Sequence, residues 1–134
     1  MQKKNISNME LIDKYPWLCP KRTENGGIHK DYDYSWTLLD DLPQGWRTLV
    51  ITMCERIKCI LEELDVVDKY MVLDAKEKYG ALSWFDCMSD MSRVPQEVLN
   101  TVRLYERISP FFCPICGKFK SPKNIICMKC EDKI

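Results

Sequence analysis

The chain has 134 residues, of which 46% are hydrophobic and 30% are charged, and its 20 basic and 20 acidic side chains cancel at pH 7. This composition is typical of a globular protein with a hydrophobic core, and it argues against a disordered chain or a general nucleic-acid coat protein. No apolar run approaches the roughly 20 residues that span a bilayer, and no signal-peptide core follows Met1, so we expect a cytoplasmic protein without membrane contact.

The first predicted element is a short helix near the start of the chain. Ser7 and Glu10 have the spacing of a capping box, which predicts that the helix begins there. Pro16 predicts its end, because the residue before a proline is pushed out of the helical region. The apolar residues around this proline are predicted to anchor the segment on the core: Tyr15, Trp17 and Leu18.

Residues 20–33 have the composition of a loop, and the segment after it alternates aspartate with aromatic residues. One interpretation is that the aromatic rings pack while the aspartates stay in water. The other is that Asp31, Asp33, Asp40 and Asp41 form a contact surface that imitates phosphate toward a basic groove. The partner would then be a host protein that binds nucleic acid.

The main helix is predicted over residues 42–64, with Asp40 or Asp41 as its cap and Pro43 in its first turn. Apolar residues recur there at steps of three and four and draw one stripe: Trp46, Val50, Met53, Cys54, Ile57, Ile60, Leu61 and Leu64. Because Cys54 falls in this stripe, we interpret it as a small buried hydrophobic residue rather than a catalytic thiol.

A β-hairpin is predicted next, because residues 70–76 alternate and residues 82–85 have the composition of a returning strand. The alternation places Met71, Leu73 and Ala75 on one face, and the pair Tyr79-Gly80 lies where the turn is expected.

The end of this hairpin has two interpretations. Lys76 and Lys78 can reach a phosphate or an acidic patch while Tyr79 stacks, which would make the three residues a partner-binding site. Alternatively, a turn simply favours polar residues, and lysines discourage pairing at a sheet edge.

A second helix is predicted to start at Pro95 and to end at Pro110. Phe111 and Phe112 then attach the last segment of the chain to the rest. The predicted organisation is an α+β body, residues 1–112, in which a long amphipathic helix and a second helix pack with a β-hairpin. A zinc ribbon, residues 113–134, is docked on this body.

The ribbon is predicted from two CxxC pairs, formed by Cys113, Cys116, Cys127 and Cys130. Two short turns with paired thiolates supply the four soft donors of one tetrahedral Zn²⁺, which predicts a single structural zinc. Two disulfides, or iron in the same site, are the alternatives. The other four cysteines are predicted to be reduced, since nothing indicates an oxidising compartment: Cys19, Cys54, Cys59 and Cys87.

The loop between the two pairs suggests an alternative function. Lys118, Phe119, Lys120 and Lys123 place an aromatic ring among lysines, a pattern that can bind nucleic acid. Residues 113–134 carry five basic and two acidic groups, net +3, but four thiolates with Zn²⁺ reduce this to about +1. The competing interpretation is that Phe119 packs over the metal while the lysines keep the lobe soluble.

Three features occur in a characteristic order: Trp46 within Leu42–Arg47, the run KEKYGALSWF over residues 76–85, and the terminal pair of CxxC motifs. Together they resemble a family of small uncharacterised proteins encoded by bacteria and their phages, in which the middle motif usually reads like KEKFGGLRFY. Ala81 stands here in place of the second glycine and Ser83 in place of the arginine. The resemblance covers roughly residues 15–130 and implies a source and an architecture, without an assigned activity.

Residue types that would build an enzyme are scarce. The motifs GxxxxGKS/T, GxGxxG, HExxH and GxSxG are absent, and the single histidine, His29, lies in a glycine-rich loop. His29 could pair with Cys19 or Cys87, but the spacing favours an exposed imidazole. We therefore predict a non-catalytic binding protein that acts through protein–protein contact, as a phage or prophage accessory inhibitor of a host system. A nucleic-acid-binding module is the alternative.

Overall fold

The computed structural model describes residues 2–132, with side-chain surroundings from residue 7 onward. Within this part of the chain, four α-helices accompany one antiparallel hairpin, which confirms the predicted α+β class. The elements are α1 (Gln2–Lys14), α2 (Arg47–Leu64), β1 (Tyr70–Lys78), β2 (Ala81–Met88), α3 (Gln96–Ile108) and α4 (Met128–Glu131). None of the helices among the described residues has both the length and the apolar character that crossing a membrane requires.

The N-terminal helix ends at Lys14, as predicted, but it does not start at Ser7. The predicted cap is wrong because the helix already begins at Gln2 and the exposed Ser7 lies inside it, where a serine that faces water is tolerated. The anchor that follows is confirmed, since Trp17 and Leu18 are fully buried. The Trp17 Nε1–H donates to Cys54 Sγ over 3.4 Å, which places that thiol in the core.

The main helix begins later than predicted. Thr37 caps a short 3₁₀ turn, Leu38–Asp41, and the Asp40 carboxylate accepts a hydrogen bond from the Thr37 N–H over 2.8 Å. The prediction that Asp40 or Asp41 caps α2 is therefore wrong. The physical reason is Pro43, which keeps Leu42 extended and separates the two elements.

The apolar stripe of α2 forms the centre of the core. Five of its residues are fully buried: Val50, Met53, Cys54, Ile57 and Leu61. Burial raises the pKa of the Cys54 thiol to about 12, so this group stays protonated and acts as a small hydrophobic side chain, as predicted.

The hairpin turn is confirmed, because Tyr79 and Gly80 have φ angles of 55° and 85° and Lys78 pairs with Ala81 across them. The predicted faces of β1 are wrong beyond Val72. A bulge at Leu73 breaks the alternation, since Val72 pairs with Asp86 but Asp74 already pairs with Phe85. As a result Ala75 is buried and Leu73 is 55% exposed.

The outer edge of β2 is covered by the end of α3. The Leu82 N–H donates to Ser109 Oγ over 2.8 Å, and the Trp84 N–H donates to Glu106 Oε2 over 2.9 Å. These side chains satisfy backbone donors that a third strand would otherwise take. They also hold the hairpin next to the 3₁₀ turn Ser109–Phe111, which leads into the cysteine lobe.

A buried polar network joins the two strands on their inner face. The Tyr70 hydroxyl donates to Asp86 Oδ2 over 2.5 Å and accepts the Trp84 Nε1–H over 2.9 Å. Burial raises the pKa of the Asp86 carboxyl above its ordinary value, although the hydrogen bond from Tyr70 opposes the shift. A charged Asp86 therefore costs the folded state free energy.

Candidate metal centre and contact surfaces

The four cysteines of the two CxxC pairs meet at one point. The Sγ atoms of Cys113, Cys116, Cys127 and Cys130 all lie within 4.8 Å of one another, and the Cys116–Cys127 distance is 3.5 Å. Four sulfurs around one zinc at about 2.3 Å would lie about 3.8 Å apart, so the cluster fits a tetrahedral metal. All eight cysteines are free thiols, and the disulfide alternative is not realised. The cluster is positioned to bind one metal ion.

The first cysteine turn is held by its own backbone. The Gly117 N–H donates to the Cys113 carbonyl over 2.8 Å, and Gly117 adopts the φ of +81° that this turn needs. Burial raises the pKa of the Cys113 thiol, but backbone N–H groups of Cys116, Cys127 and Ile115 outweigh it and lower the pKa to about 6. The fold thus stabilises a thiolate, the form that binds metal.

The second turn starts from Cys127 and runs into α4. The Cys127 N–H donates to Cys113 Sγ over 3.4 Å, which links the two turns directly. The Glu131 N–H donates to the Cys127 carbonyl over 2.9 Å and closes the single helical turn that carries Cys130. Three of the four sulfur ligands are buried and Cys116 is exposed.

The cysteine lobe touches the body through Gly45, a residue that the sequence interpretation missed. The Gly45 N–H donates to the Pro114 carbonyl over 2.7 Å, and a Cβ at this position would lie 2.2 Å from the Cys113 carbonyl oxygen. The Trp46 Nε1–H donates to the Phe112 carbonyl over 3.1 Å. The sequence contained a signal for this contact, because a glycine just before a helix and outside a hairpin turn often marks the close approach of another backbone segment.

The two phenylalanines before the first cysteine have different contacts. Phe112 packs against the main core, whereas Phe111 stacks on Phe119 with 6.0 Å between ring centroids. Phe119 also meets Phe112 edge to face at 6.1 Å and remains 74% exposed. Phe119 therefore packs against these two rings with one side, and most of its surface faces solvent.

The predicted division into a body, residues 1–112, and a ribbon lobe, residues 113–134, stays a prediction.

Lys120 must be removed from the predicted nucleic-acid set. Its side chain is buried, and its ammonium donates to the carbonyls of Pro110 over 2.6 Å and Ser121 over 3.2 Å, and to that of Asn124. A lysine whose N–H groups are committed in this way cannot meet a phosphate. Lys118 and Lys123 are exposed, as the prediction required.

The four predicted acidic residues are all exposed, but two have local roles. Asp33 accepts the Ser35 N–H over 3.1 Å, and its hydrogen bonds to Ser35 lower its pKa. Asp40 closes the Thr37 capping box described above. Burial, together with the neighbouring charges of Asp40 and Asp74, raises the pKa of Asp41. Tyr32 is buried while the aspartates are exposed, which agrees with the interpretation in which the rings pack and the aspartates stay in water. The local hydrogen bonds of Asp33 and Asp40 were not predicted.

Asp31 lies beside the single histidine. Its backbone N–H donates to His29 Nδ1 over 3.1 Å, so that nitrogen acts as an acceptor. Within the described residues, only the four C-terminal cysteines form a group of metal-ligand type, and His29 is not part of it.

The hairpin end presents its predicted residues to solvent. Tyr79 is 95% exposed at a φ that tyrosine rarely adopts, and the Lys78 ammonium lies 5.9 Å from the centre of its ring. Lys76 is paired with Asp74 on the same strand over 3.4 Å. Phe85, across from Asp74, is 64% exposed.

Comparison with known proteins gives no further guide, since no family model, no curated protein and no solved structure matches the chain.

Proposed function

We propose that this chain is a non-catalytic zinc protein that acts by binding a partner protein. The proposal of a structural zinc rests on the closed donor set, in which four cysteine sulfurs lie within 4.8 Å of one another. A catalytic zinc keeps a coordination position for water or substrate, whereas four thiolates fill a tetrahedral shell. The zinc would therefore act by holding the two cysteine turns together.

The structural role of the metal is supported by the contact with the body. Because Gly45 packs on the backbone of the first cysteine turn, a metal that orders this turn also orders the start of α2. We expect one zinc per chain, and chelation should loosen the C-terminal lobe first. Elemental analysis of the purified protein tests the metal, and iron in place of zinc would refute its identity.

Partner binding is proposed at the hairpin surface, defined as Leu73, Lys76, Lys78, Tyr79 and Phe85. Three of these residues are apolar or aromatic and more than half exposed. Exposed tyrosine and phenylalanine are enriched at protein interfaces, where burying them contributes much of the affinity.

The turn residue Tyr79 supports this choice most directly. Asparagine, aspartate or glycine would adopt its positive φ at lower cost, and a ring that is 95% exposed does nothing for the core. Met91 shares this strain and exposure, so what distinguishes Tyr79 is an exposed aromatic ring on the same hairpin as the exposed Leu73 and Phe85. The acidic set Asp31, Asp33, Asp40 and Asp41 is a weaker second candidate, because Asp33 and Asp40 already serve the local fold.

For the biological setting, we propose a phage or prophage accessory protein that inhibits a host system in the cytoplasm. The support is the resemblance of the hairpin motif and the cysteine pairs to small bacterial and phage proteins. A protein that blocks a host machine needs an exposed contact surface and no catalytic residues of its own.

The test is an affinity capture from bacterial lysate with tagged protein, followed by binding measurements with the purified partner. Tyr79→Ala should lose the partner. Met91→Ala is the matched control, because Met91 resembles Tyr79 in being 93% exposed and at positive φ. Met91 follows the end of β2, at the opposite end of the hairpin from the turn. If a partner binds both variants equally well, the hairpin surface is not the contact.

A further inference from the structure

A cleft of about 460 Å³ opens on the cysteine lobe, and none of its lining residues belongs to the hairpin surface. We call it the ribbon cleft and define it by six of its lining residues: Lys118, Phe119, Ser121, Asn124, Met128 and Lys129. Its apolar walls are unusually open to solvent, since Phe119 is 74% and Met128 is 76% exposed. Two such side chains on one cleft form an exposed apolar surface, which marks an interaction site more often than singly exposed residues do.

One wall and the floor of the ribbon cleft are held in place by contacts within the chain. One wall is the Phe119 ring, which stacks on Phe111 and meets Phe112 edge to face. The floor is tied by the buried Lys120 ammonium, whose carbonyl partners include Pro110 and Asn124. A surface held in this way loses little conformational entropy on binding, which favours affinity.

The charged side chains that line the cleft are lysines, although the thiolates of the metal centre and the exposed Glu131 and Asp132 at the end of α4 offset part of this charge. Lys118 and Lys129 line it, Lys123 is exposed on the loop between the cysteine pairs, and no carboxylate is among its lining residues. A ligand that complements this surface carries negative charge beside an apolar group.

We infer that the ribbon cleft binds an acidic peptide segment of a partner protein. An apolar side chain of that segment inserts between Phe119 and Met128, and its carboxylates meet Lys118 and Lys129. The flexible thioether of Met128 adapts to side chains of different shape. This inference rests on the proposed protein-binding function, but it uses a surface separate from the hairpin.

A peptide suits the cleft better than nucleic acid does. Among the residues that the structure describes, burial of Lys120 leaves three ribbon lysines for phosphates, Lys118, Lys123 and Lys129, too few for more than weak and salt-sensitive binding. Met128, which is 76% exposed, adds apolar surface that does not stack on bases. An apolar side chain flanked by carboxylates uses both the lysines and this surface.

The experiment is a selection of a random-peptide phage library on the zinc-loaded full chain. We expect enrichment of sequences in which leucine, isoleucine or phenylalanine is flanked by aspartate or glutamate. A selection without enrichment, or one that yields basic peptides, overturns the inference.

The affinity of an enriched peptide is then measured by fluorescence polarisation against variants of the cleft. Lys118→Glu with Lys129→Glu should weaken binding about tenfold or more, because two attractions become repulsions. Both substitutions are at exposed side chains that make no contact in the Phe119 stack, so the variant is expected to fold. Lys30→Glu, an exposed lysine outside the cleft, should leave the affinity unchanged.

Two further results separate this inference from the proposed function. Tyr79→Ala should not affect the enriched peptide; a loss that occurs only in this variant would place peptide binding on the hairpin and overturn the cleft. A single-stranded oligothymidylate is the second probe. If it binds more tightly than the peptide and displaces it, the cleft is a nucleic-acid site and the peptide assignment is wrong.

Discussion

Gly45→Ala is the most informative change for the link between the metal centre and the body. An added Cβ would lie 2.2 Å from the Cys113 carbonyl oxygen and 2.6 Å from the Pro114 carbonyl carbon. Both contacts are with backbone atoms, which cannot rotate away as a side chain can. The two segments must therefore separate, and the first cysteine turn must leave the start of α2.

The cost of this separation can be estimated from its parts. Overpacking against rigid backbone costs about 1–3 kcal/mol. Losing the 2.7 Å hydrogen bond from the Gly45 N–H to the Pro114 carbonyl adds about 1 kcal/mol. We therefore expect Gly45→Ala to lower the free energy of unfolding by about 2–4 kcal/mol.

Urea unfolding followed by tryptophan fluorescence measures the effect on the body, because all four tryptophans precede residue 113. In the wild type, a chelator should lower the free energy of unfolding of the body. In Gly45→Ala, the chelator should lower this free energy much less. Gly27→Ala is the control, since its nearest contact would be Thr23 Oγ1 at an ordinary 3.4 Å. A Gly45→Ala protein as stable as the wild type, with an unchanged chelator effect, would refute the docking argument.

Three other predictions concern single side chains. Tyr79→Asn should raise the free energy of unfolding by about 0.5–1 kcal/mol, because asparagine tolerates positive φ, while partner binding falls. The pKa of Asp86 is raised in the folded state, so its contribution to stability should fall as pH rises from about 4 through that raised pKa. The difference in unfolding free energy between wild type and Asp86→Asn across that pH range measures this contribution. Lys120→Met should cost about 1–3 kcal/mol by leaving partly buried carbonyls without their donor, and it should speed metal release to a chromogenic chelator.

Each of these predictions has a control and a result that contradicts it. Met91→Asn should relieve similar strain without loss of partner, so equal binding by the Tyr79 and Met91 variants would argue against the hairpin contact. A pH-independent difference for Asp86→Asn would mean that this carboxyl titrates normally in the folded protein. Lys118→Met, at an exposed neighbour, should change stability by no more than about 0.5 kcal/mol. If Lys120→Met changes the free energy of unfolding as little as Lys118→Met does, the hydrogen bonds of Lys120 contribute little to stability.

Local features of the fold were predictable because their causes lie within a few residues. The Tyr79-Gly80 turn follows from a glycine between two alternating segments, and α3 starts at Gln96, directly after Pro95, which is its N-cap residue. The cysteine cluster was predictable for the same reason, since the short spacing within each pair directs two sulfurs toward one point.

Features that depend on distant contacts were not predictable in the same way. The bulge at Leu73 inserts one residue against the opposite strand, which the alternation along β1 alone does not reveal. Lys120 has the composition of a solvent-facing lysine, yet carbonyls from Pro110 and from its own loop converge on its ammonium. Gly45 is constrained by a backbone more than 60 residues away along the chain.

The most direct test of the central claim is the metal content of the purified protein and of two cysteine variants. We predict one zinc per wild-type chain, little or none in Cys130→Ser, and wild-type content in Cys59→Ser, whose exposed thiol lies outside the cluster. A wild-type protein without metal, or a Cys130→Ser protein that keeps its full zinc content, would contradict the account.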